Sequence, residues 1–305
     1  MLRRHVFFGL LVSLGIACSQ TAATPPADAG ATEVVRGDRD PVPFGGKRPV
    51  ELYVPTSYSE EKPAPLLVLL HGYGVSGKVQ ELYLGLTKHA ESRGFLFAHP
   101  DGTLDKSGKR FWNASECCDF DATGVDDVAY LDGLVDEIGK RYKVDPKRVF
   151  LVGHSNGGFM SYRLACDRAS KFAALVSIAG TMWSDAARCK PSEPVSILQV
   201  HGTGDDTIAY EGGTIASVTY PGAKTTASRW ATFDGCEGTP DTSSAPIDIE
   251  DSRPGAETTV AKYQKGCKSG SAVELWTIAG GGHLPSFGKT FNDAMLDFLY
   301  AHPKP

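Results

Sequence analysis

Nothing in this 305-residue sequence repeats at a solenoid period, and no lysine- and arginine-rich stripe is interleaved with aromatics. The first absence leaves one α/β domain as the expectation. The second, with a net charge of −5, argues against nucleic acid as a partner. No Cys-x-x-Cys pair and no His-rich spacing is present, so neither a metal nor a cofactor is required. The apolar run from Val6 to Ala17, broken only by Ser13, is too short to span a bilayer. What is present is enough apolar material, 41% of residues, to bury one large core or two modest ones.

Arg3 and Arg4 ahead of that run give it the layout of a signal peptide over residues 1–18. Leu14-Gly15-Ile16-Ala17-Cys18 resembles a bacterial lipobox, with Gly15 where leucine is usual; ordinary cleavage near Ala17 or Ala23 is the alternative. A lipidated Cys18 would attach the protein to a membrane. The segment after it is rich in Thr, Ala, Pro, Asp and Gly and reads as a flexible tether over 19–40, ahead of a catalytic domain at 41–305. Of seven cysteines, setting Cys18 aside leaves six, an even number suited to an oxidising compartment. Sequence does not determine their connectivity. The preferred pairs are Cys166 with Cys189 and Cys236 with Cys267, each closing a local excursion, which leaves Cys117 and Cys118 for a vicinal bridge.

Pro65 to Leu70 is a continuous apolar run of the kind buried on both faces of a parallel sheet. Further strands are expected at Arg48–Pro55, Phe95–Ala98, Arg148–His154, Ala173–Ala179, Val195–Val200 and Ala272–Ile278. Helices are expected at Lys78–Ser92, Val125–Tyr142, after Ser155, at Ala223–Phe233 and at Thr290–Tyr300, with a polar excursion from the fourth of these to about Tyr263. Alternating strands and helices imply right-handed crossovers and a mostly parallel central sheet with helices on both faces. In such sheets function gathers at the carboxyl ends of strands.

The polar clusters sit at those ends. Gly153-His154-Ser155-Asn156-Gly157 lies between a strand and a helix, as a nucleophile elbow requires. A serine hydroxyl needs a base to take its proton and an acid to orient that base. Ser155, Asp205 and His283 occur in the order Ser, Asp, His, each just past a strand. Asp205 is preferred over Asp206 because it completes His201-Gly202-x-x-Asp205. Asp126 and Asp127 precede the elbow strand and read as first-turn helix charges. The oxyanion donors are expected from the backbone N–H groups of Asn156 and Tyr73, the latter in His71-Gly72-Tyr73-Gly74. His71, His154 and His201 are read as supporting their loops by hydrogen bonding.

Taken together, the chain from about Pro49 to Leu299 resembles secreted esterases of the feruloyl esterase and polyhydroxybutyrate depolymerase-like type. The carriers are His71-Gly72-Tyr73-Gly74, Trp112-Asn113-Ala114 with Cys117-Cys118, Gly124-Val125-Asp126-Asp127-Val128, Gly153-His154-Ser155-Asn156-Gly157-Gly158, His201-Gly202-Thr203-Gly204-Asp205 and Gly280-Gly281-Gly282-His283. The resemblance implies an α/β-hydrolase fold, Ser155, Asp205 and His283 as triad, and Tyr73 and Asn156 in the oxyanion hole. It also implies cysteine pairs like Cys166–Cys189 and Cys236–Cys267. One departure is Leu284-Pro285-Ser286 where relatives carry Thr-Trp-Pro. Trp112, Trp183, Leu284 and Phe287, with Tyr73, are the candidates for substrate contact.

The expected function is exported serine ester hydrolysis on feruloyl or similar esters of plant polysaccharide. Short-chain polyester or acetyl xylan is the alternative substrate, and a catalytically idle binding module the alternative class.

Overall fold

The computed structural model describes residues 36–305. The signal-peptide, lipobox and most of the tether assignments lie outside the described residues. Nine strands form the central sheet: β1 (Asp38–Arg39), β2 (Leu52–Val54), β3 (Ala64–Leu70), β4 (Leu96–Ala98), β5 (Val144–His154), β6 (Ala174–Ile178), β7 (Ser196–Gly202), β8 (Thr258–Tyr263) and β9 (Val273–Ile278). Their spatial order is β1-β2-β4-β3-β5-β6-β7-β9-β8. The strands from β4 to β9 in that order run parallel, and antiparallel strands finish both edges. All seven residues of β3 are buried, as a strand covered on both faces demands.

Among the described residues, six helices complete the layers: α1 (Gly77–Leu84), α2 (Thr87–Arg93), α3 (Asp127–Arg141), α4 (Asn156–Asp167), α5 (Ala223–Phe233) and α6 (Lys289–Ala301). Phe291, Met295, Leu296 and Leu299 of α6 join Leu67, Leu69, Phe150, Val152, Leu198 and Val200 in one core. The opposite face is closed by α4 and α5, where Tyr162 Oη donates to Gln199 Oε1 at 2.8 Å and Trp230 Nε1 donates to Val195 O at 2.8 Å. Those two bonds satisfy polar groups that the packed interior would otherwise strand.

Three expectations need correction, and one element was not expected. The helix expected over Lys78–Ser92 is two. Gly85 takes the left-handed conformation (φ 66°) and ends α1, and Glu81 turns back to accept from Leu86 N at 2.9 Å and Thr87 N at 2.8 Å, capping α2. The tether expected to reach residue 40 stops earlier, because Asp38 and Arg39 pair with β2 and buried Asp40 is held by Arg141 and the Tyr142 hydroxyl. The polar excursion after α5 contains β8, paired antiparallel along the whole of β9. A hairpin of Gly212–Ile215 and Val218–Pro221 follows β7, turning through Ala216 (φ 48°) and Ser217 (φ 68°). Such a turn needs two positive-φ residues, and without an Asn-Gly pair the sequence does not announce it.

Candidate active site

The elbow is built by close approach. A Cβ on Gly153 would stand 2.1 Å from Gly157 O, and one on Gly157 would stand 2.2 Å from Leu70 O. Only glycine lets β5, β3 and α4 converge that tightly. Ser155, at the junction, has φ 53° and ψ −121°, a conformation that costs an L-residue roughly 1–3 kcal/mol and is held here by its N–H bond to Ile178 O at 2.8 Å. Its side chain stands at the N-terminus of α4.

Asp205 and His283 meet above the sheet. Thr207 N and Ile208 N both donate to Asp205 Oδ1, at 2.9 and 2.8 Å, and His283 Nδ1 donates to Asp205 Oδ2 at 2.8 Å. Burial pushes the Asp205 carboxyl up, but hydrogen bonds from His201, His283 and the Ile208 N–H outweigh it and hold the group well below the usual carboxylate range. An ionised Asp205 keeps a proton of His283 on Nδ1 and so orients the ring. Ser155 and His283 line one cleft. Asp206 is exposed and accepts only from Thr207 Oγ1, whereas it is Asp205 that meets His283.

His71, His154 and His201 are structural partners. Burial lowers both His71 and His154 to about 4, so both are neutral at physiological pH. His71 donates from Nδ1 to Gly72 O and accepts from Gly102 N at Nε2, both at 2.8 Å. His154 donates from Nε2 to His283 O at 2.9 Å. His201 Nε2 faces two acceptors, Ile208 O at 2.8 Å and Asp205 Oδ2 at 3.3 Å, which places a proton there and leaves Nδ1 to accept from Gln199.

Among the described residues, neither the Tyr73 N–H nor the Asn156 N–H has a protein acceptor; the latter opens α4 and has none within the helix. The loop carrying Tyr73 is fixed by Gln80 Oε1 accepting from Gly72 N (3.1 Å) and by Gly74 N donating to Arg110 O (2.8 Å). The Asn156 side chain does what the sequence does not reveal. It accepts from Trp112 N at 2.7 Å and donates to Trp112 O at 2.9 Å, stapling the 112–118 loop to the elbow. Asp127 is also more than a helix-start charge. It is buried, pairs with Arg48 at 2.5 Å and accepts from Asn113 N at 2.7 Å, whereas Asp126 caps α3.

Substrate-contact expectations are redistributed. Trp112 is wholly buried and donates from Nε1 to His71 O at 3.1 Å, so it supports the 71–74 loop from beneath instead of lining the cleft. Trp183 is enclosed between Arg163 and Arg188, and Phe287 stacks on Phe291 with ring centroids 3.6 Å apart; neither lines the cleft. Leu284 does, 67% exposed beside His283. The residues that sequence reasoning missed are Tyr83, Phe159, Ile208 and Ile215, together with the wall formed by Cys117 and Cys118. The cysteines pair as Cys117–Cys118, Cys166–Cys189 and Cys236–Cys267.

This combination of sheet order, elbow and Ser-Asp-His placement defines an α/β hydrolase. Residues 55–225 match the phospholipase/carboxylesterase family model, and the chain belongs to that family. It is 33% identical over 259 residues to feruloyl esterase B of Piromyces equi, covering 82% of this chain and 45% of that protein. It is 30% identical over 268 residues to the putative esterase NocK of Nocardia uniformis subsp. tsuyamanensis, covering 85% and 75% respectively. The chain thus spans less than half the length of feruloyl esterase B. Among solved structures it resembles the acetyl xylan esterase from Aspergillus awamori in fold, with a TM-score of 0.59 and 16% identity, covering 87% of this chain and 100% of that one.

Proposed function

We propose that the protein is an exported serine carboxylic-ester hydrolase acting on feruloyl or related hydroxycinnamoyl esters of plant polysaccharide. The observation that carries the chemistry is the Asp205–His283 bond of 2.8 Å beside a serine on a strained elbow. Ser155 Oγ attacks the ester carbonyl as His283 Nε2 takes its proton. The charge formed on oxygen is received by the Tyr73 and Asn156 N–H groups. Collapse expels the alcohol, protonated by His283, and leaves an acyl-serine that water hydrolyses by the same steps. The substrate class is supported by the identity to feruloyl esterase B. Export is supported by the signal-peptide layout of residues 1–18 and by the three disulfides. Lipidation at Cys18 is part of the same proposal, tested by globomycin sensitivity of processing.

A release assay on the purified mature protein and its Ser155→Ala variant tests the reading. The panel is methyl ferulate, acetylated xylan, p-nitrophenyl acetate and amorphous polyhydroxybutyrate. Ferulate release that dominates and vanishes in the variant is the expected result. Polyester clearing or deacetylation with little ferulate release would reassign the substrate, and silence on every ester would leave a binding module.

A further inference from the structure

Ser155 lies between two clefts of similar size. One, of about 330 Å³, is shared with His154, His283 and Leu284 and continues past Val79 and Tyr83. The other, of about 320 Å³, is walled by Cys117, Cys118, Phe120, Phe159, Ile208 and Ile215 and does not include His283. Proton delivery distinguishes them. In the proposed reaction His283 must hand its proton to the departing alkoxide, so the alcohol belongs on the His283 side. The acyl group is left to the second chamber, where Asn156, an oxyanion donor, is also a lining residue.

Resting on that reading, we propose that the Cys117–Cys118 disulfide is the selective wall of the acyl pocket, recognising flat, apolar, single-ring acyl groups. The wall is braced from several directions. Ser115 Oγ approaches Cys117 Sγ at 3.1 Å, the neighbouring Glu116 pairs with Arg188, and Arg188 adjoins Cys189, which is tied to Cys166 of α4. At the loop's start, Trp112 is stapled to Asn156. A braced disulfide offers a rigid, polarisable and apolar surface, suited to the face or edge of an aromatic ring. Phe159 packs edge-on against Tyr220, with centroids 6.0 Å apart, and Phe120 against Tyr73 at 5.4 Å, so aromatic edges already frame the chamber. Its volume, at the small end for ligand sites, suits a single ring. The alcohol stays on the His283 side.

The test measures kcat/KM for ethyl cinnamate and ethyl acetate, and for acetates of a small and a bulky alcohol. The enzymes are the native protein, a Cys117→Ser, Cys118→Ser double variant, and Ile215→Phe, which fills the chamber from the opposite hairpin. The cinnamate-to-acetate ratio falls about tenfold in both variants, while the small-to-bulky alcohol ratio holds within about twofold. An unchanged acyl ratio, an equal loss on both acyl groups, or a shift in the alcohol ratio instead would overturn the assignment. Should the double variant not fold, Ile215→Phe decides alone, since its side chain sits on a surface hairpin. Ester hydrolysis surviving Ser155→Ala would instead sink the serine-hydrolase reading beneath it.

Discussion

Asp234 is the clearest place where burial and charge conflict. It follows α5, is wholly inaccessible to solvent, and one carboxylate oxygen has no hydrogen-bond partner. The other accepts from Val195 N at 3.3 Å. Burial raises its pKa from 3.8 to about 7, only partly offset by the Val195 N–H, Ser271 and the more distant Lys268 and Lys304. The native state therefore keeps a proton that the unfolded chain releases between about pH 4 and pH 7. Stability falls as pH rises across that window, by about 4 kcal/mol once pH exceeds 7, at 1.36 kcal/mol per pKa unit. Asp234→Asn retains the acceptor for Val195 and leaves no charge to bury. Urea unfolding under non-reducing conditions should show the variant about 4 kcal/mol more stable than the native protein at pH 8 and nearly equal at pH 4. A difference that does not change with pH, or a less stable variant at pH 8, would refute the reasoning.

Three further outcomes are expected. Buried His71 and His154, both lowered to about 4, resist the proton that the unfolded chain accepts below about 6.5, so the pair contributes stability above that pH that is lost as pH falls toward 4. Each is worth about 3 kcal/mol, and unfolding of the Asp234→Asn protein between pH 7 and pH 4, where the opposing effect is gone, reads the loss; a flat profile contradicts it. Asp205→Asn should leave the fold intact and lower kcat on p-nitrophenyl acetate by about 10⁴, since an amide no longer stabilises the imidazolium or its tautomer. Asn156→Ala removes the two bonds to Trp112 but not the backbone N–H, so kcat should fall roughly tenfold with KM little changed, from loosened donor placement; a loss confined to KM would put the side chain in substrate binding.

The site was more legible in the sequence than the walls around it. Gly153 and Gly157 announce an elbow because their spacing answers a steric demand, and Ser155, Asp205 and His283 stand past apolar runs that could only be strands. Burial is harder to read. Trp112 advertises an aromatic substrate surface, yet its ring lies under the 71–74 loop, where its Nε1 donates to His71 O. Asp127 looks like an ordinary first-turn charge until the fold brings in Arg48 from 79 residues away. The acyl-side hairpin turns through Ala216 and Ser217, and β8 has exposed and buried residues in a pattern too short and polar to stand out. Local chemistry is written in the sequence; contacts made by distant segments are not.

The most direct test of the central claim is covalent labelling with a p-nitrophenyl alkylphosphonate, which traps a nucleophilic serine, followed by intact-mass and peptide analysis. One adduct per chain on Ser155, absent from Ser155→Ala and formed much more slowly in Asp205→Asn, is the predicted result. Labelling at any other residue, or ester hydrolysis that continues after Ser155 is modified, would contradict it.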